Sequence, residues 1–276
     1  MSVTARIKQK SLFKKKMNLE DIIKFTGLSY GVCDENYRLD RDEIGEHTLI
    51  YDEAKLARGF ELWLEGSDVL LSLSLPTAPS EIRLFYSLVE KLCNEFNTKK
   101  YLREDEEAYL YEDEEFIKWE EASIVALEEM TSKTEDEYRC FEIFGIYNPI
   151  AIGQRELQRI DCNLNNLEEY LNEIQSLDVY YATPSVYRKK DTNELFGIYS
   201  IVADIPCVVP NKPYIILDQI KGINYWYVMI RKGMTVTYDD FINHISSKEY
   251  YDANHVIALL NDDEIDALIE QYSVEI

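Results

Sequence analysis

Ten glycines and seven prolines are all that punctuate the 276 residues, so collagen-like and low-complexity chains are excluded. Long apolar runs are missing as well. The longest, Val69-Leu-Leu-Ser-Leu-Ser-Leu75, falls far short of the ~20 residues that a membrane-spanning helix needs. The five cysteines (Cys33, Cys93, Cys140, Cys162, Cys207) are odd in number, widely spread and without a C-x-x-C pair, which is neither a disulfide framework nor a zinc spacing. Three histidines, His47, His244 and His255, form no H-x-x-x-H or H-E-x-x-H pattern. Phosphate cradles are lacking too: there is no G-x-G-x-x-G and no Walker motif, and Arg231-Lys232-Gly233 reads as a tight turn. The expectation is a chain with no bound cofactor and no metal.

One catalytic pattern does match literally, Gly27-Leu28-Ser29-Tyr30-Gly31 as G-x-S-x-G. A nucleophile elbow needs a strand before the serine and a helix after it. Here a helix precedes and a polar loop follows, so the glycines are read as turn residues. A calcium loop starting at Asp40 fails because Ile44 and Tyr51 stand where oxygen ligands are required.

Fifty-two acidic against 29 basic side chains give a net charge of −23. That field repels phosphate backbones, and nucleic acid is excluded as a partner on this ground, as a membrane is by the lack of apolar runs. The charge is also uneven. The first 16 residues carry Arg6, Lys8, Lys10, Lys14, Lys15 and Lys16 with no acid, whereas residues 103–121 are strongly acidic, Glu112-Asp113-Glu114-Glu115 being their densest part. The basic start has no apolar h-region, so it reads as a strand beside the chain's own acidic surface and not as a signal peptide. A cytoplasmic, reduced compartment is expected.

Periodicity organises the rest. Val3, Ala5 and Ile7 alternate as a half-wet strand, and Asn18 caps a helix over residues 19–26 ended by Gly27. Phe60, Leu62 and Leu64, the turn Gly66-Ser67-Asp68, and Val69, Leu71, Leu73 and Leu75 spell an antiparallel hairpin. Ile82, Phe85, Leu88, Val89, Leu92 and Phe96 make the stripe of a helix capped by Thr77 or Ser80. A second helix is expected over 114–130. The pattern restarts near Lys133-Thr-Glu-Asp-Glu137, giving halves 1–133 and 134–276. The second half reads as a strand pair over 141–152, a helix capped by Asn163, strands at 179–187, 195–204, 214–220 and 225–230, a helix capped by Thr237, a strand at 256–260 and a helix capped by Asn261. Hairpins with covering helices in both halves predict an α+β fold of antiparallel sheets, as two strand-hairpin-helix halves.

Aromatics are plentiful: 21 Tyr, 10 Phe and 3 Trp. In Tyr225-Trp226-Tyr227 alternation puts Trp226 on one strand face and both tyrosines on the other. Tyr225, Tyr227, Tyr250 and Tyr251, together with Glu112, Asp113, Glu114 and Glu115, are therefore the candidate partner-binding residues, since tyrosines serve interfaces with an apolar ring and a polar tip.

MSVTARIKQKSLFKKK, MNLEDIIKF, RGFELWLEGSDVLLSLSLP and SEIRLFYSLVEKLC, in that order, resemble domain of unknown function family 4299 from Gram-positive bacteria. The resemblance is firmest over the first 130 or so residues, and its motifs are strands and helices. It implies no catalytic residue. The expected role is a non-enzymatic protein-binding or accessory module meeting a basic protein, with self-association as a further option. The alternative is a carboxylate-based, metal-assisted hydrolase.

Overall fold

The computed structural model describes residues 1–9, 16–110, 114–136 and 140–276, the side chains at 114, 115, 134–136 and 218 excepted. Lys10, Lys14, Lys15, Glu112 and Asp113 lie outside the described residues. The chain divides into two compact units, Met1–Ser176 and Leu177–Ile276. The pattern restart at 133/134 falls inside the first of them, at the end of a helix.

The first unit contains β1 (Ser2–Lys8), α1 (Leu19–Thr26), β2 (Ser29–Cys33), β3 (Leu39–Arg41), β4 (Thr48–Tyr51), β5 (Phe60–Glu65), β6 (Asp68–Ser74), α2 (Pro79–Glu95), β7 (Lys100–Arg103), β8 (Glu106–Tyr109), α3 (Glu114–Asp136), β9 (Cys140–Phe144), β10 (Pro149–Gly153), α4 (Gln154–Ile160) and α5 (Leu164–Gln175). Eight of the strands form one sheet in the order β3-β2-β4-β5-β6-β1-β7-β8. Every pairing in it is antiparallel. β9 and β10 form a separate pair. Alternation sends Val3, Ala5 and Ile7, Leu62, and Val69, Leu71 and Leu73 to one face, where Ile82, Phe85, Val89 and Leu92 of α2 complete the core. α1 is closed at its start by a reciprocal Asn18–Asp21 capping box and at its end by Gly27 at φ +73°.

A buried carboxyl ties this unit together. Glu81 in the first turn of α2 is 5% exposed. It accepts the main-chain N–H of Arg58 at 3.1 Å and that of Gly59, and the Thr77 hydroxyl donates to its other oxygen. The Arg58 guanidinium donates to the carbonyls of Phe144 and Pro76, each at 3.0 Å. The start of β5, the turn before α2 and the end of β9 thus meet at one point. Thr77 is held by Glu81, so the N-cap of α2 is Ala78, without a side-chain cap bond, in place of the expected Thr77 or Ser80.

The second unit contains β11 (Tyr180–Tyr181), β12 (Ser185–Arg188), β13 (Leu195–Ser200), β14 (Cys207–Pro210), a 3₁₀ turn at Ile216–Asp218, β15 (Ile223–Arg231), β16 (Met234–Thr237), α6 (Tyr238–His244), β17 (Lys248–Tyr250), β18 (His255–Ala258), α7 (Asp262–Tyr272) and β19 (Ser273–Val274). Its sheets run β11-β14-β18-β17 and β12-β13-β15-β16-β19. The β11–β14 and β13–β15 pairings are parallel, the others antiparallel. Val209, Val228, Ile230 and Val236 of the sheets meet Phe241 of α6 and Ile265 and Leu268 of α7 in one core. The architecture is α+β throughout.

Two strand expectations differ from the structure. Residues 179–187 break into β11 and β12, because Pro184 between them has no N–H to give to a ladder. Residues 214–220 are not a strand. The Tyr199 hydroxyl donates to the Tyr214 carbonyl at 2.8 Å and accepts its N–H at 3.2 Å, and Leu217 turns left-handed at φ 54°.

Burial pushes the Glu81 carboxyl up from 4.5 to about 7 against its hydrogen-bond donors. Between those values the folded chain holds a proton that the unfolded chain has lost. The stability this group contributes is therefore complete below pH 4.5 and is lost as pH rises through 7. Glu81→Gln keeps an acceptor for the two N–H groups and offers Thr77 a donor. In paired denaturant titrations the wild type should lose about 3 kcal/mol relative to Glu81→Gln between mildly acidic and slightly alkaline pH.

Candidate interaction surface

The clearest exposed feature is the outer face of the five-stranded sheet in the second unit. The ladder sets Tyr187 of β12 opposite Phe196 of β13, Phe196 beside Tyr225 of β15, and Ile198 beside Tyr227. Because neighbours in register share a face, these side chains line one surface. Tyr187 and Phe196 stack at 5.6 Å, and Tyr227 stands edge-on to Phe196 at 6.0 Å. Tyr187 is 50% and Tyr225 44% exposed. The Lys189 ammonium sits 5.0 Å above the Tyr225 ring, a cation held on an aromatic face.

The opposite face explains why the tyrosines point outward. Trp226 packs against the core, tilted against Tyr199 at 5.9 Å. Its indole lies flat over Gly197 of the neighbouring strand, where a Cβ would come within 2.3 Å of the ring. Only glycine leaves room for the tryptophan there, and the tryptophan fixes which way its tyrosine neighbours face.

The candidate tyrosines do not form one surface. Tyr225 and Tyr227 are on β15, whereas Tyr250 is on β17 at the edge of the other sheet and is 44% exposed. Tyr251, expected at a contact surface, is buried at 5% exposure, its ring packed against those of Tyr181 and His255 at 6.2 and 6.3 Å. Its hydroxyl has no hydrogen-bond partner among the described residues, and burial raises it well above the ordinary tyrosine value. Glu114 and Glu115 begin α3, and their side chains are outside the described residues, as Glu112 and Asp113 are altogether. Tyr187 and Phe196 were not among the candidates. Counting back and forward from the 189–193 turn would have paired them.

Tyr251 borders a second cluster. Asp252, fully buried, receives the His255 ring at Nδ1 at 2.7 Å and the main-chain N–H groups of Asn254 and His255 at 2.9 and 2.8 Å. With Nδ1–H aimed at Asp252, His255 Nε2 faces the hydroxyls of Tyr181 at 3.0 Å and Tyr214 at 3.2 Å. Burial raises the Tyr181 phenol well above its ordinary value, so it stays protonated and acts as a hydrogen-bond donor, not a base. The cluster clamps the 251–255 turn to β11 and the loop after β14.

Among the described residues no three His, Cys, Asp or Glu side chains gather as a metal-ligand set, and no helix is long and apolar enough to cross a membrane. Fold and surface together define an α+β protein of antiparallel-rich sheets with an exposed aromatic sheet face. The sequence model of one family, Domain of unknown function (DUF4299), matches residues 2–268, and the chain belongs to that family. No curated protein and no solved structure matches it.

Two substitutions test this construction. Gly197→Ala should cost about 1–3 kcal/mol of unfolding free energy by forcing Trp226 off the sheet, read as a fall in thermal midpoint with loss of the tryptophan's near-ultraviolet dichroism. His255→Ala leaves the Asp252 carboxylate and two phenols short of a partner and should cost about 2–4 kcal/mol in denaturant titration.

Proposed function

We propose that the chain is a non-enzymatic protein-binding module whose contact surface is the tyrosine face of β12, β13 and β15, and whose partner presents Lys and Arg side chains to it. The observation that carries this reading is the run of rings across three adjacent strands, Tyr187 and Tyr225 exposed and Phe196 and Tyr227 half-buried between them. Tyrosine joins a large apolar area to a polar tip at low entropic cost, which is why it concentrates at binding hot spots. The Lys189 ammonium over Tyr225 is an internal example of the group such rings accept from a partner. A chain of net charge −23 also steers basic surfaces toward it and repels acidic ones.

The test is affinity capture at low and high salt from an extract of cells that produce the protein, run in parallel with the double variant Tyr187→Ser/Tyr225→Ser. Tyr109→Ser serves as control, because Tyr109 is 55% exposed on β8 of the other unit. A basic protein should be retained at low salt by the wild type and the control and released at high salt. Retention by the double variant should fall by about tenfold or more with its thermal midpoint unchanged. Equal retention by wild type and double variant, or recovery of nothing but the chain itself, overturns the reading.

A further inference from the structure

A cleft of about 260 Å³ opens in the first unit where β1 and β7 part. The two strands pair only at Ala5–Arg103 and Arg6–Leu102, extended by the Glu104 N–H donating to the Thr4 carbonyl at 3.2 Å. Beyond that the ladder stops. At the start of β7 the Thr98 hydroxyl donates to the Lys100 carbonyl at 2.9 Å and accepts its N–H at 3.4 Å. Lys100 thus has its main-chain bonds from Thr98 and needs none from β1.

Three cations line this opening, Arg6, Lys8 and Lys100, with one carboxylate, Glu107, in the lining and two more, Glu65 and Asp68, beside Arg6. Arg6 is held by Glu65 and, at 3.5 Å, by Asp68, and Lys100 is held by Glu107. The Arg6 guanidinium has five N–H donors, so those two carboxylates leave donors over. Lys8 is exposed and has no ion-pair partner among the described residues. Lys8 stands opposite Asp68 in the ladder without an ion pair to it, and in this concave site its ammonium adds a free cation to the spare donors of Arg6 and to Lys100. Leu102 adds an apolar wall. The volume is below the roughly 300–1,000 Å³ of drug-sized sites, which restricts the occupant to a small molecule.

We propose that this cleft binds a small phosphate monoester, its dianionic head between Lys8, Arg6 and Lys100 and its organic body along Leu102. The site is separate from the tyrosine face, and its failure would leave the protein-binding reading untouched.

The full chain is titrated at constant ionic strength with ribose 5-phosphate, glycerol 3-phosphate and phosphoserine, with inorganic phosphate and free ribose as comparisons, while amide chemical shifts are followed. At least one monoester should give saturable shifts confined to β1 and the 98–103 segment, more tightly than inorganic phosphate. Lys8→Met, at an exposed position, should keep the wild-type spectrum and weaken that binding by about tenfold, the loss of one charge-assisted hydrogen bond. Lys100→Met should act the same way. Shifts that do not saturate, that spread over the surface, or that are unchanged in Lys8→Met overturn the proposal. So does binding of inorganic phosphate as tight as that of every monoester.

Discussion

The first unit depends on where one carboxyl can be buried. Glu81 is placed by α2 under the start of β5, and the hydrogen bonds it accepts join the main chain at Arg58-Gly59 to the Thr77 hydroxyl, two segments that the sheet alone would not fix. The Arg58 guanidinium extends the same joint to the end of β9 and the turn before α2. Desolvation brings that guanidinium down to about 10, so it remains charged at neutral pH opposite a carboxyl that burial has raised. Taking either group out of water is costly, and the cost is offset because every donor around the carboxyl has somewhere to point. Arg58-Gly59 and Glu81 come from two of the segments that carry the family resemblance, so those segments meet at a joint between elements.

In the second unit the equivalent constraint is volume. Trp226 occupies the space that a side chain at position 197 would need. Once it is seated, strand alternation leaves Tyr225 and Tyr227 nowhere but the outer face, and the β12–β13 register adds Tyr187 and Phe196 to them. The outward-facing rings are thus a by-product of how the core is filled, and the proposed binding role uses a surface that this packing has set in place.

Much of this was legible because the signals were local. The Asn18, Asn163, Thr237 and Asn261 caps, the 60–75 hairpin and the inward face of α2 depend on residues within a turn or two of one another, and all are present. What was illegible depends on distant partners. β2, β4, β7 and β14 are four or five residues long and exist because neighbouring strands supply their hydrogen bonds. Residues 214–220 carry a good strand pattern and lose to a single tyrosine hydroxyl fifteen positions upstream. The outward tyrosines of β15 could be read from alternation, but that Tyr250 stands on another sheet could not, since strand order is not written in any one strand. The Lys8 cleft was equally hidden, being made by the absence of pairing between β1 and a strand, β7, that has no clear pattern of its own.

Strand β1 is the first element of the chain, yet it lies inside the eight-stranded sheet, with Ser2 facing Ser74 and Ala5 facing Arg103. On the ribosome it would emerge long before either neighbour exists, so the sheet cannot grow outward from its first strand. The hairpin of β5 and β6, closed by a short turn, is the piece able to assemble early, and β1 must then be recruited across a loop of about sixty residues. Until that happens its apolar face has nothing to rest on, and Arg6 and Lys8 are the charges that discourage two nascent copies from pairing along it.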